Sequence, residues 1–346
     1  MKFNDPALRQ RGRASIDFLG QLLHARRPVN DQIMRDLDTA NITADTLPDD
    51  IDAGIAAYEN ALKDSKAFGA LQLIADWHYR RYGAITTEVF DEIKEELAPD
   101  LERLMEGPAR ITIDPDFKAP DYWQGVDFHR TEGGWDGHPH MGYIHGELIH
   151  KKLVGGRARD NIFEQRRQAA KKAPRATYRR ILDMGCSSGH YTLMLAQVYP
   201  AAQIVGAELS RRMLEHALRT ANYHGLAWDL HQCAAEATPF DDASFDLVTS
   251  YILLHEMPAN AIKEMFREAY RLLEPGGDLL MSDVPRYADM NKLDIVKADR
   301  EAILGGEPHW RSAAQLDLVA AAKEAGFQEA STSGGYPHSL IARKTA

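Results

Sequence analysis

A doubly wound, mostly parallel α/β sheet preceded by a mainly helical region is the architecture that the sequence predicts, on three observations. From about residue 175 short apolar strands alternate with helical periods in a strand–helix–strand–helix rhythm. Before that point apolar residues recur at helical spacing. The first strand of the alternating half runs into a glycine-bounded turn, Gly185-Cys186-Ser187-Ser188-Gly189, and then into a helix.

In the first half, "RGRASIDFLGQLLHAR" places Ile16, Leu19, Leu22 and Leu23 on one helical face. "IDAGIAAYENALKDSKAFGALQLIADWHYRRYG" continues in the same style, with Ile55, Tyr58 and Leu62 at helical spacing. "TTEVFDEIKEELAPDLERLMEG" reads as a further helix, with Thr86 as N-cap and a stop before Gly107-Pro108. Residues 108–146 break the pattern and are rich in Pro, Gly, aromatics and His. That stretch is too apolar for a disordered linker, and its length suits a lid or binding loop. Helix resumes around "YIHGELIHKKLV" and "RDNIFEQRRQAAKKA". In the second half "RRILDMG", "AQIVGAEL", "AWDLHQC", "SFDLVTSYILLHEM" and "GDLLMSDV" supply strands. Helices are "HYTLMLAQVYP", "SRRMLEHALRTANYHG" with Ser210 as N-cap, "NAIKEMFREAYRLLEPGG" and "AAQLDLVAAAKEAGF"; "GGYPHSLIARK" is a last strand. The division drawn is residues 1–150, a helical cap or dimerisation domain, and 151–346, the sheet domain.

The length of 346 residues favours two domains. A formal net charge of −10 disfavours nucleic acid as a partner. The basic run at 166–180 reads as a solvated helix face and linker. No apolar run approaches the ~20 residues of a membrane span, and the N-terminus has no apolar signal core. Cys186 and Cys233 form no disulfide framework or zinc ligand set, which suits a reducing compartment. The expectation is a cytoplasmic protein with a small-molecule partner, no nucleic acid and no membrane. A homodimer through the N-terminal helices stays open.

Two chemistries use a turn like residues 185–189. It fits the G-x-S-x-G elbow of an α/β-hydrolase, with Ser187 as nucleophile, Asp283 as acid and His309 or His338 as base. In that fold several strands precede the elbow, whereas here the preceding region reads as helical. The turn also fits a ligand cradle. Glycines at 185 and 189 permit a tight turn and close approach of a ligand. The helix start offers unpaired N–H groups. Glu208 stands at the end of the second strand, where an acid binds ribose hydroxyls. The dinucleotide pattern G-x-G-x-x-G is absent. Asp183, two residues before Gly185, has no purpose toward NAD, but S-adenosylmethionine carries an α-ammonium that such an acid attracts.

"ILDMGCSSGHYTL", "IVGAEL", "AAEATPFDDASFDLVTSYILLHEM" and "LLEPGGDLLMSD" resemble, in order and spacing, the successive motifs of class I S-adenosylmethionine-dependent methyltransferases. The ubiquinone/menaquinone-type small-molecule group is the nearest, and the resemblance covers about residues 160–346. It implies a Rossmann-like domain with S-adenosylmethionine as cofactor. Asp183, Gly185, Ser187 and Gly189 would surround the methionine part. Glu208 would hold the ribose, Leu209 would pack on the adenine, and Ala235 and Glu236 would flank its edge. Tyr251 would lie near the sulfonium and the acceptor, and Tyr143 would reach the cofactor carboxylate. Two positions depart from the family. Ser187 replaces the central glycine, a change that is tolerated if its φ is ordinary. Ala234 stands where the family often has an acid for the adenine amino group.

After the fourth strand the chain reads "SYILLHEMP", without the Asn- or Asp-Pro-Pro-Tyr motif of base- and amide-methylating relatives. His255 in that segment is a candidate catalytic residue. The loop "DFHRTEGGWDGHPHMGYIHGELIH" holds His129, His138, His140, His145 and His150, five of the chain's 14 histidines. His140 and His145 are its candidates for a general base, which suits an imidazole pKa near ~6.5. The alternatives are a metal bound by His138 and His140 with Asp136 or Glu147, and plain hydrogen bonding at an interdomain surface; no metal is assigned. A second lid is expected at 286–312, with Arg286, Tyr287, His309 and Trp310 along the acceptor pocket. The activity expected is methyl transfer to a small molecule, first at oxygen, with carbon or nitrogen as alternatives. The rivals are the Ser187 esterase and a non-methylating S-adenosylmethionine binder. Ser187→Ala separates cradle from nucleophile: a cradle loses mainly cofactor affinity, measured by titration, whereas a nucleophile loses all turnover.

Overall fold

The strand periods assemble into one eight-stranded sheet in this computed structural model, which describes residues 3–155 and 161–345. The strands are β1 (Arg110–Thr112), β2 (Arg180–Met184), β3 (Gln203–Glu208), β4 (Asp229–Gln232), β5 (Phe245–Tyr251), β6 (Leu273–Asp283), β7 (Glu329–Ser333) and β8 (His338–Arg343). Their order is β1-β4-β3-β2-β5-β6-β8-β7. The β6–β8 and β7–β8 pairs are antiparallel and the others parallel.

The central strands are buried on both faces, as a parallel sheet requires; β5 is buried at every position. Alternation then sorts side chains to opposite cores. Leu182 and Val248 pack on one face with Ile262, Met265 and Phe266 of α9 (Ala259–Leu272). Ile181 and Leu247 pack on the other with Leu195 of α7 (His190–Val198) and Leu214 and Leu218 of α8 (Arg211–Tyr223). Ser210 caps α8 as expected, its hydroxyl accepting the Met213 N–H at 3.1 Å.

The N-terminal region is helical: α1 (Gln10–His24), α2 (Arg26–Thr39), α3 (Ile51–Ala61) and α4 (Lys66–Arg103). The helix expected to begin at Thr86 is the second half of α4, a single helix of 38 residues. Thr86 is buried mid-helix, and its hydroxyl donates back to the Tyr82 and Gly83 carbonyls at 2.9 Å each, so it caps nothing. β1 precedes residue 150 yet forms the sheet edge beside β4, so the sheet draws on both sides of the division read from the sequence. α5 (Met141–Tyr143) runs into a π-helix, Ile144–Val154, a geometry that clusters at functional sites. α6 (Ile162–Ala170) follows; the Arg159 start expected for it lies outside the described residues. Beyond β6 come α10 (Lys292–Gly305), then α11 (Trp310–Gln315) and α12 (Leu318–Glu324) where one late helix was expected. Among the described residues no helix is long and apolar enough to cross a membrane.

Leu247 is 0% exposed at the centre of this packing. Leu247→Ala is expected to cost about 2–5 kcal/mol through the cavity it leaves, seen as a lowered urea midpoint with an unchanged far-ultraviolet spectrum at zero denaturant.

Candidate active site

The chain leaves β2 toward β3 and β4 on one side and later fills β5 and β6 on the other. Where strand order reverses in this way, loops at the carboxyl ends part and leave a crevice. The crevice is a pocket with a cavity volume of about 190 Å³. Its floor is Gly185 to Ser188 after β2, Ala207 to Leu209 at β3, Cys233 and Ala235 after β4, and Tyr251 to Leu253 with His255 to Met257 after β5. Its roof is Tyr122, Trp123, His129 and Trp135 from the irregular loop. His145 and His150 of the π-helix and Arg166 of α6 close one wall.

The floor is shaped by backbone. Gly185 sits at φ +68°, and a Cβ there would come within 2.8 Å of Leu253, so this position requires glycine. The N–H groups of Gly185 and Cys186 donate to the Ala207 carbonyl at 2.8 and 3.0 Å. Ser187 is at φ +48°, so the condition of an ordinary φ set for this replacement is not met. The left-handed turn lets its N–H donate to Glu208 Oε2 at 3.0 Å. Glu208 Oε1 accepts the Ser210 N–H at 2.9 Å, so one carboxylate ties the turn to the start of α8. Ile252, next to Tyr251, is at φ +59°. A left-handed β-branched residue costs strain that is stored at functional sites.

Asp183 is buried and Glu208 is half-buried. Burial pushes the Asp183 carboxyl up to about 7, against the hydrogen bond from Thr192. Burial likewise pushes Glu208 up to about 7, against its bonds from Ser210 and Ser187. Asp183 Oδ2 accepts the Thr192 hydroxyl at 2.6 Å, while Oδ1 is buried with no hydrogen-bond partner.

Gly185, Ser187, Glu208, Leu209, Ala235, Tyr251, His145 and His255 all line the pocket. Gly189 does not line it; at φ +84° it starts α7. Glu236 does not line it, but accepts the hydroxyl of the lining Tyr122 at 2.9 and 3.1 Å. Tyr143 lies outside, in the N-terminal core, donating to the Phe3 carbonyl at 3.0 Å. His140 is also outside, 5.1 Å from the Phe90 ring. The expected second lid does not line the pocket either. Arg286 bonds the Leu316 carbonyl, Tyr287 bonds Asp299, and Trp310 packs 5.6 Å from His255. The hydrolase triad is not assembled. Asp283 receives His255 Nδ1 at 2.9 Å, His309 Nε2 is 3.1 Å from the Tyr122 carbonyl, and His338 lies 3.4 Å from Asp289. The H-x-H metal set is not assembled either. Asp136 accepts the Ser210 hydroxyl, and Glu147 faces Lys151, His190 and His216.

Sequence reasoning missed Tyr122, Trp123, Trp135, Arg166, His190 and Tyr191 as lining residues. The aromatic density of residues 108–146 was the available signal for the first three. Arg166, expected on a solvated face, lies 5.0 Å over the Tyr251 ring and donates to the Ile162 carbonyl at 3.1 Å. Burial drives His145 well below its ordinary pKa, helped by the neighbouring His129, His190 and Arg166. His255 is pushed up to about 9, because Asp283 outweighs the burial that opposes charge.

Residues 181–277 match the family model of a methyltransferase domain. The chain carries a class I S-adenosylmethionine-dependent methyltransferase domain. It is 36% identical over 132 residues to a malonyl-[acyl-carrier protein] O-methyltransferase of Legionella pneumophila, covering 38% of this chain and 42% of that one. It is 35% identical over 120 residues to a demethylmenaquinone methyltransferase of Thermus thermophilus, covering 35% and 54%. An arsenite methyltransferase of Aquipseudomonas alcaligenes is 31% identical over 143 residues, covering 38% and 40%. The chain spans about half the length of the curated relatives it matches.

The methyltransferase domain's cofactor, S-adenosylmethionine, fits the residues present. Asp183 does not itself line the pocket, but its partnerless oxygen suits a cation, and the lining Glu208 carboxylate suits paired hydroxyls. A carboxyl raised by burial holds a proton up to about pH 7, and a cationic ligand expels it. Affinity for S-adenosylmethionine is therefore expected to fall as pH drops below 7, by up to about tenfold per pH unit for each acid. Calorimetry in buffers of different ionisation enthalpy should show proton release at pH 6.5; proton uptake would contradict this assignment.

Proposed function

We propose that the protein transfers the methyl group of S-adenosylmethionine to an oxygen atom of a small, largely apolar acceptor. One observation carries this reading: the Ser187–Glu208 cradle and a wall of aromatic and histidine side chains share a single pocket. In this proposal Glu208 binds the ribose hydroxyls, Asp183 the ammonium, and Gly185 and Ser187 the methionine part. Leu209 and Ala235 pack on the adenine, and Tyr251 stands by the sulfonium. Arg166 takes over the carboxylate contact expected of Tyr143. Gly189 and Glu236 act indirectly, by starting α7 and by holding Tyr122.

The transfer is an in-line displacement. The enzyme's task is to align acceptor, methyl and sulfur and to exclude water. A hydroxyl acceptor must also lose its proton. His145 is neutral at working pH, lines the pocket and has a buried Nδ1 without a partner, so it serves as the proton acceptor. Trp123, Trp135, Tyr251 and Met257 offer the acceptor an apolar or aromatic bed. The irregular loop caps this pocket, and the N-terminal helices support it through the Tyr82 hydroxyl on the His129 carbonyl. Exposed Phe18 and Trp77, 5.5 Å apart, support a homodimer through those helices. Buried, unpaired Cys186 and Cys233 support a cytoplasmic home.

The test is incubation with S-adenosylmethionine carrying a deuterated methyl and a panel of phenols, carboxylic acids and amines, read by mass spectrometry. Label on oxygen is expected, and His145→Gln should lower kcat by about 10²–10⁴-fold with cofactor affinity retained. Label on nitrogen or carbon contradicts the oxygen assignment. Binding without any transfer returns the protein to the class of non-methylating binders.

A further inference from the structure

Three side chains that line the pocket, His129, His255 and Glu256, meet Glu307, which does not line it, and the cofactor cradle uses none of the four. His129, His255, Glu256 and Glu307 each offer one ligand atom, and these atoms lie within 4.8 Å of one another. They converge from three separate segments: the 3-10 turn Phe128–Arg130, the turn Leu254–Glu256 after β5, and the residue following Gly306. His129 Nε2 is 2.9 Å from Glu256 Oε1, and its Nδ1 is 2.5 Å from Glu307 Oε1. His255 Nε2 is 3.5 Å from Glu256 Oε1. We infer that these four residues bind one divalent first-row transition-metal ion at the acceptor end of the pocket.

Three independent observations support a metal site over a chance cluster. The second oxygens of both glutamates, Glu256 Oε2 and Glu307 Oε2, are buried without a hydrogen-bond partner. Buried carboxylate oxygens without partners are costly unless something positive completes them. His255 is oriented as a ligand: its Nδ1 is held by Asp283 Oδ1 at 2.9 Å, and Nε2 is left facing the cluster. Asp283 is itself fixed by the Leu254 and Val284 N–H groups at 2.6 and 2.7 Å. A carboxylate behind the outer nitrogen is the usual support of a metal-bound histidine. Finally, the backbone is strained to deliver His129. It stands at φ +52°, held by the Tyr82 hydroxyl on its carbonyl at 2.7 Å and by its N–H on the Gly306 carbonyl at 3.2 Å. Gly306, at φ +77°, faces Arg130 where a Cβ would come within 2.8 Å. Strain of this kind persists where the surroundings over-determine a functional geometry.

The charges point the same way. Glu256, Glu307 and Asp283 set three carboxylates around two imidazoles, and a divalent ion would take the place of the protons those imidazoles otherwise hold. Mixed imidazole and carboxylate ligands suit Zn²⁺, Fe²⁺, Mn²⁺ or Co²⁺, whereas Mg²⁺ and Ca²⁺ favour oxygen alone. Bonds of ~2.1 Å hold tetrahedral ligand atoms roughly 3.4 Å apart, so the His129–Glu256 pair at 2.9 Å would open and the widest pairs, within 4.8 Å, would close. Metal binding here does not depend on methyl transfer. If the proposed function holds, the ion sits where the acceptor's oxygen would be fixed and polarised.

The test uses the full chain, stripped with chelator and titrated with Co²⁺ under equilibrium dialysis, with visible absorption as the second readout. One Co²⁺ per chain is expected, with ligand-field bands. His255→Ala should weaken it by at least 100-fold, and Asp283→Asn by about 10–100-fold through the lost support. Glu307→Gln should weaken it at least tenfold; being isosteric, it decides the matter if His255→Ala does not fold. No Co²⁺ or Zn²⁺ binding by a wild type that still binds S-adenosylmethionine overturns the metal site and leaves His129 clamped between two glutamates. Co²⁺ binding that is unchanged in Glu307→Gln and Asp283→Asn overturns it equally. Loss of cofactor binding, by contrast, counts against the proposed function and not against the metal.

Discussion

The constraint on which the rest depends is the reversal of strand order between β2 and β5. A parallel sheet sends every strand's carboxyl end to one edge. Only at the reversal do neighbouring loops leave in opposite directions and open a crevice. Glu208 turns that crevice into a cradle. By accepting the Ser187 and Ser210 N–H groups it fixes the turn after β2 against the first turn of α8. The same carboxylate thus stabilises the apo loop and presents itself to a ligand. Burial raises its pKa against the N–H bonds it accepts from Ser210 and Ser187.

The N-terminal half acts on the pocket through the irregular loop. α4 holds that loop from one side, with the Tyr82 hydroxyl on the His129 carbonyl. The end of α10 holds it from the other, with the Arg130 guanidinium on the Leu304 and Ile303 carbonyls. Tyr122 is anchored to Glu236 beside the cradle. The roof is therefore tied to three elements far apart in sequence. Burial then has different consequences on the two sides of the pocket. It drives the pKa of His145 down, while at His255 it is outweighed by Asp283, which raises it. Two histidines of one pocket are shifted in opposite directions by their neighbours.

The legible parts of the sequence were those written in local rules. Strand–helix alternation, the turn at 185–189, the Ser210 cap and the position of Glu208 all follow from spacing and turn chemistry. Other features depend on tertiary context. Thr86 looks like a cap, yet its hydroxyl turns back onto the helix it was thought to begin. β7 reads Glu-Ala-Ser-Thr-Ser, mostly exposed at the sheet edge, without the apolar alternation that marks a strand. Tyr143 sits in a histidine-rich stretch, but α5 turns it toward Phe3 and Phe90. His129 was one histidine among five; its meaning comes from Glu256 and Glu307, which no local pattern connects to it.

The account's central claim is that the pocket at the reversal binds S-adenosylmethionine through Glu208. Its most direct test is calorimetric titration of the full chain with S-adenosylmethionine beside a Glu208→Ala variant. The account predicts saturable binding at one site per chain, weakened more than tenfold in the variant, in keeping with loss of charge-assisted hydrogen bonds worth about 1.5–3 kcal/mol. Absence of binding by the wild type, or equal affinity in the two proteins, would contradict it.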